Sequence, residues 1–156
     1  MFPRWLAERL NMREVAPGLY VGDSQSVSFG PARKRWGFVA DLCGSSRNNA
    51  DLYPRTAELF VHRFEDGTPV PRIVLETVAQ KVPHYLAREQ PVLIHCAAGE
   101  SRSVSVAYAL LRIGWGLDHD EALLRVQTPN SIPCGWPVPR TFESAREWVE
   151  GRRRRR

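Results

Sequence analysis

The segment that most constrains the fold is Val92-Leu93-Ile94, which runs directly into His95-Cys96-Ala97-Ala98-Gly99-Glu100-Ser101-Arg102-Ser103. A short, unbroken apolar run is what a strand buried on both faces requires, because neither side of it meets water. The residues after it are mostly small, so the chain can turn sharply there. From about Arg102 to Ile113 apolar side chains recur with helical spacing: Val104, Ala107, Leu110 and Leu111 share one face, and Val106 and Tyr108 widen it. A helix apolar over most of its circumference belongs in an interior, and Gly114 supplies a stop. A buried strand, a tight loop and a central helix in succession predict an α/β layered domain.

The rest of the chain reads consistently. Leu19-Tyr20-Val21-Gly22, Phe38 to Leu42 and Leu59 to His62 have the character of short strands, while Gly44 to Asn49 and Glu65-Asp66-Gly67-Thr68-Pro69 have that of loops. Val74, Leu75, Val78, Val82, Tyr85 and Leu86 follow helical spacing, with Pro71 near the start, where proline is tolerated. Pro83 inside that pattern predicts a kink or break, and Pro91 closes it. Asp118-His119-Asp120-Glu121 opens a third helix with a capping pattern. A proline-rich stretch follows, then a last helix from about Pro139 to Val149. Strands alternating with helices predict a mostly parallel central sheet flanked by helices, in one domain over residues 1–150 with a disordered basic tail over 151–156. Sites in such sheets lie beyond the carboxyl ends of the strands, which draws attention to the residues just after Ile94.

Composition narrows the function classes. With 43% hydrophobic residues in 156, the chain can build a core and is too apolar to be disordered. It contains no apolar run of about 18 residues, and its first residues are interrupted by Arg4, Glu8, Arg9 and Arg13 rather than forming a secretory leader. Cys43, Cys96 and Cys134 are too few and too scattered for a disulfide framework or a zinc site. A reduced, cytoplasmic setting suits them. The net charge of +5 is carried by Arg152 to Arg156, so the body is balanced. Such a run can attract nucleic acid, acidic lipid or acidic protein, or can simply be a solvated terminus.

The loop after the buried strand carries the chemistry. Residues Ala97, Ala98, Gly99, Glu100, Ser101 and Arg102 can curl so that backbone N–H groups converge, with a helix N-terminus pointing at the same spot: a nest of phosphate size. The Arg102 guanidinium can bind two phosphate oxygens at once. Cys96 lies at the base of the nest, where the same field favours a nucleophilic thiolate. A leaving oxygen needs a proton, and Asp66, in a Gly/Pro-bounded loop 30 residues upstream, is the favoured donor. Glu65 and Asp41 are rivals, and Asp41 could instead orient the loop by accepting N–H bonds. Ser103 could donate to the Cys96 sulfur when it leaves, or serve as a helix first-turn cap. His95 is expected to hydrogen-bond the backbone and steady the loop from behind. His62, His84 and His119 have no metal-ligand spacing, so no metal or cofactor is expected.

His-Cys, five residues, Arg and Ser, with Ala98 to Ser103 reading Ala-Gly-Glu-Ser-Arg-Ser, resembles the signature of the dual-specificity branch of the cysteine-based protein tyrosine phosphatases. Gly18 to Asp23 resembles that family's opening strand, the spacing of Asp66 resembles its acid, and Pro129-Asn130 loosely matches a later segment. The resemblance spans about Pro17 to Trp148. It implies a protein tyrosine phosphatase-like fold and hydrolysis of phosphate monoesters on proteins (phosphotyrosine, phosphoserine/threonine or both) through a phosphocysteine. Glu100 departs from the apolar or aromatic residue usual at its position. It either repels phosphate or favours a basic substrate residue. Ala97, Ala98 and Glu100 take the place of the lysines frequent in phosphoinositide-directed relatives, which favours a phosphorylated protein over a phosphoinositide, sugar or RNA phosphate. The resemblance also makes Cys43 a possible redox partner for Cys96; alternatively it is a small core cysteine. The competing activities are a rhodanese-like sulfurtransferase, which needs no Asp66, and a non-catalytic phosphate-binding module, which needs no Cys96.

Overall fold

The antiparallel entry into the sheet is a feature with no counterpart in the sequence pattern. In the computed structural model, which describes residues 12–28, 35–127 and 139–155, strand β1 (Arg13–Ala16) turns at Pro17-Gly18 into β2 (Leu19–Gly22). Gly18 has φ of 81°, the left-handed conformation that glycine adopts without steric cost. β3 (Phe38–Asp41), β4 (Glu58–Val61) and β5 (Val92–His95) complete a five-stranded sheet of order β1-β2-β5-β3-β4. β2, β5, β3 and β4 are mutually parallel, and only β1 runs the other way. The central strand is β5, all four residues of which are buried.

Alternate residues of the strands separate the core into two parts, as a two-residue period dictates. Leu19, Val21, Phe38, Ala40, Val92 and Ile94 face the helices, while Val39 and Leu93 join Met12, Val27, Trp36 and Tyr53 on the other side. Among the described residues, the cover of that second face comes from loop and turn residues and a short 3-10 segment (Ser26–Ser28) rather than from an α-helix. The helices are α1 (Arg72–Leu86), α2 (Arg102–Gly114), α3 (His119–Val126) and α4 (Pro139–Arg154). α2 is the hub: every residue from Ser103 to Arg112 is buried, and it packs against the three other helices as well as β2 and β5. The fold is thus the mostly parallel α/β sheet with flanking helices that the sequence indicates. No helix among the described residues is long and apolar enough to cross a membrane.

Three local expectations are corrected. Of the kink or break expected at Pro83, a break is ruled out: α1 continues through Pro83 to Leu86. Pro83 is solvent-exposed, so the carbonyl deprived of its partner can turn to water, while fully buried Val78 and Val82 hold the helix on the core. The turn that ends α2 falls at Gly116, with φ of 65°, rather than at Gly114, and the Leu117 N–H returns to the Leu111 carbonyl. α4 extends past Val149 to Arg154, so residues 151–154 are helical. Arg153 Nη2 donates to the carbonyls of Arg112 (3.3 Å) and Leu117 (3.5 Å), and the Arg152 guanidinium sits 4.8 Å from the centre of the Trp148 ring. Cations in a last helical turn also offset the partial negative charge there. The cap at Asp118 is as expected, its carboxylate accepting from the Glu121 N–H at 2.8 Å. Cys134 and Pro129-Asn130 lie outside the described residues.

Candidate active site

β5 delivers His95 between two neighbours: Gly22 on β2 and Asp41 on β3 are its register partners. One residue later Cys96 is 2% exposed, and its N–H reaches back to the Gly22 carbonyl at 3.3 Å. The loop then curls over the sulfur. The Gly99 N–H donates to Cys96 Sγ at 3.3 Å, and Ser103 Oγ lies 3.2 Å from the same atom. Gly99 has φ of 70°, and a Cβ there would stand 2.7 Å from the Gly22 carbonyl carbon, so a side chain has neither the backbone conformation nor the space. Ala97 and Ala98 are exposed, Gly99 and Ser101 are buried, and Glu100 is half-buried. Ser101 immediately precedes α2, and its carbonyl accepts the Ser105 N–H at 2.8 Å. The sulfur therefore sits in a tight loop at the foot of a helix N-terminus, with a backbone donor and a hydroxyl on it.

Arg102 ties this loop to the next. Its Nη1 donates to the Phe64 carbonyl at 2.9 Å. Asp66 is two residues beyond, exposed, with its carboxylate accepting from the Gly67 N–H at 3.1 Å. α4 pins the same loop from outside: Thr141 Oγ1 accepts from the Gly67 N–H at 2.9 Å and donates to the Thr68 carbonyl at 2.8 Å, and Ser144 Oγ accepts from the Val70 N–H at 2.8 Å. Glu65 instead forms an exposed ion pair with Arg63 at 3.1 Å.

Asp41 is fully buried, and both of its carboxylate oxygens accept hydrogen bonds. Oδ1 accepts from the Cys43 and Gly44 N–H groups (3.1 and 2.8 Å), and Oδ2 accepts from the Ser46 N–H and hydroxyl (2.9 and 2.6 Å). Burial works to raise its carboxyl pKa, yet these donors and the nearby His95 hold it below the usual range. Asp41 thus shapes the loop after β3. Cys43 donates its thiol to Asp41 Oδ1 at 3.4 Å, and burial pushes that thiol up. The His95 ring reaches Tyr53: Nε2 and the Tyr53 hydroxyl are 2.8 Å apart, and Ser45 Oγ lies 2.8 Å from that hydroxyl. Burial pushes the imidazole down, against the pull of the Asp41 carboxylate and the Cys96 backbone. Asp41, Cys43 and His95 bring three possible ligand atoms within 4.8 Å of one another. The carboxylate is already spent on N–H and O–H donors and His95 Nε2 on Tyr53, so these residues do not fit a metal ion.

Tyr53 and Ser46 escaped the sequence reading, as did Arg13. Because β1 is antiparallel, its first residue lies at the same edge of the sheet as the carboxyl end of β5. Arg13 Nη1 donates to the Gly99 carbonyl at 3.2 Å, and Nη2 bonds the Val126 carbonyl at the end of α3. Burial pushes the guanidinium down to about 10, with Cys96 and Glu100 pulling it back up, and it stays charged at neutral pH. Glu100, whose orientation the sequence left open, therefore has a cation in its field.

No protein-family model and no curated protein sequence matches this chain. Solved structures do. Human DUSP28 superposes with a TM-score of 0.73 at 19% identity, covering 91% of this chain and 95% of its own. The active form of Tk-PTP gives 0.69 at 20% identity over 89% and 96%. PTPMT1 in complex with PI(5)P gives 0.67 at 18% over 92% and 97%. The chain has the fold of the dual-specificity-type protein tyrosine phosphatases.

Proposed function

We propose that this protein hydrolyses phosphate monoesters through a phosphocysteine on Cys96. The observation that carries the reading is the environment of the sulfur: a Gly99 N–H at 3.3 Å and the Ser103 hydroxyl at 3.2 Å, at the foot of the α2 N-terminus. In the first step the Cys96 thiolate attacks phosphorus, an S–P bond forms, and the ester P–O bond breaks. The leaving alkoxide or phenoxide takes a proton from Asp66. Loop N–H groups and Arg102 bear the charge spread over the equatorial oxygens. In the second step water attacks the phosphocysteine and gives its proton to the Asp66 carboxylate. The S–P bond breaks, inorganic phosphate departs, and the Ser103 hydroxyl donates to the sulfur that leaves. Asp66 is the acid in this scheme because Asp41 is buried in its own hydrogen bonds and Glu65 is paired with Arg63.

The substrate we favour is a phosphorylated protein. The exposed loop residues Ala97 and Ala98 are small and neutral, and offer no cation to a polyanionic headgroup. PTPMT1 was solved with a phosphoinositide, so that substrate is the comparison to run. Hydrolysis of an aryl phosphate in EDTA by the wild-type protein, abolished in Cys96→Ser, is the expected result. Activity surviving in Cys96→Ser would rule out the phosphocysteine. A reduced wild-type protein that turns over thiosulfate but no phosphate ester would be a sulfurtransferase.

A further inference from the structure

Arg13, half-buried at the start of β1, bonds a residue of the Cys96 loop yet has no part in the scheme above. We propose that Arg13 is a positioning residue for the anion-binding loop: by holding the Gly99 carbonyl at the back of the loop, it turns the Glu100 N–H toward the space over Cys96. The inference rests on reading that loop as an oxyanion site, as the phosphatase proposal does.

The geometry constrains both sides of Gly99. Its own N–H is on the Cys96 sulfur at 3.3 Å, and its carbonyl is on Arg13 Nη1 at 3.2 Å. In a trans peptide the C=O and the following N–H point in opposite directions. A carbonyl held toward β1 therefore sends the next N–H to the opposite side of the loop. The plane has little room to slide toward β2, because even a Cβ added at Gly99 would stand 2.7 Å from the Gly22 carbonyl carbon. The second anchor is the Val126 carbonyl, which ends α3, and helix C-termini favour cations. Arg13 is thus a two-carbonyl clamp whose fork geometry lysine or methionine cannot reproduce. Its charge also offsets that of Glu100 beside the loop, which answers how a carboxylate is tolerated next to a phosphate site.

Arg125 provides the control. It donates to the Val15 carbonyl at 3.5 Å and so fastens α3 to β1 along the same seam. The test is protection of Cys96 from iodoacetamide by inorganic phosphate, followed alongside kcat and KM for an aryl phosphate. In Arg13→Met the phosphate concentration giving half-protection should rise about tenfold, the scale of one charge-assisted hydrogen bond. KM should rise with it, and kcat should fall less. Arg13→Lys, which keeps the charge but can hold only one of the two carbonyls, should fall between the wild type and Arg13→Met, and Arg125→Ala should stay within about threefold of the wild type. If methionine is not tolerated at this half-buried position, Arg13→Gln takes its place with the same expectation. The proposal is overturned if folded Arg13→Met or Arg13→Gln is protected like the wild type, if Arg125→Ala loses as much, or if phosphate gives the wild type no protection. Protection needs no turnover. A wild type that binds phosphate without hydrolysing esters would therefore refute the phosphatase reading while leaving the Arg13 comparison decisive.

Discussion

Replacing Gly99 by alanine would add one carbon where the structure has no room. The new Cβ would stand 2.7 Å from the Gly22 carbonyl carbon and 2.9 Å from both Gly22 O and Asp23 N. All three are backbone atoms, so no side-chain rotation relieves the clash. Ordinary carbon contacts are near 3.5 Å, so the loop and the end of β2 must separate by several tenths of an ångström. Alanine at φ of 70° adds roughly 1–2 kcal/mol for the left-handed conformation alone. Together these give a destabilisation of about 2–3 kcal/mol, or a melting point lower by roughly 4–12 °C for a domain of this size. Activity should suffer more. Movement of Gly99 withdraws its N–H from Cys96 Sγ and rotates the peptide that Arg13 holds, and a misplacement of about 1 Å at a reacting centre costs on the order of 10² in rate. Aryl phosphate kcat/KM is therefore expected to fall about 100-fold or more in a protein that remains folded at the assay temperature. Thermal melting and steady-state kinetics on the same preparation check both. A Gly99→Ala protein with kcat/KM within threefold of the wild type would refute the claim that this contact sets the loop.

Two further predictions concern the carboxylates. Asp66→Asn should lower kcat by about 10²–10³ for alkyl-like leaving groups and much less for a nitrophenolate, which needs little protonation; equal losses across a leaving-group series would remove Asp66 from the role of acid. Asp41 is held below its usual pKa in the folded protein. Its contribution to stability is therefore fully present above the unfolded value of about 4 and is lost as pH falls through the lower folded value. Asp41→Asn should cost about 2–4 kcal/mol at pH 7, because donors from Ser46, Cys43 and Gly44 lose their charged acceptor. It should also flatten the decline in urea midpoint between pH 5 and 3. A decline as steep in the variant as in the wild type would show that another group controls acid stability.

The Asp41 cluster also bears on Cys43. Its thiol is hydrogen-bonded to a carboxylate and pushed toward the neutral form by burial, whereas rapid attack on an oxidised Cys96 requires a thiolate. The local field thus works against Cys43 as a redox partner in the resting protein.

Much of this molecule was legible in one dimension because the relevant physics is local. Val92 to Ile94 had to be a doubly buried strand, small residues had to turn, and the spacing from Val104 to Leu111 had to make an interior helix. Those three facts placed Cys96 at the foot of a helix, and α2 begins at the expected Arg102. What tertiary structure decided depends on residues far apart in the chain. Antiparallel pairing of β1, recorded by no motif, carries Arg13 to the loop 86 residues away. The register of β3 beside β5 sets Asp41 against His95. Only then is Asp41 a buried acceptor rather than an available acid. Tyr53 reaches His95 across 42 residues. Pro83 predicts a kink or break because propensity counts the lost hydrogen bond, whereas the fold, which keeps the helix unbroken, also counts the buried valines that hold it in place. Periodicity reports which face of an element is apolar; which neighbour meets that face, and which polar groups are brought together there, is fixed only when the sheet is assembled.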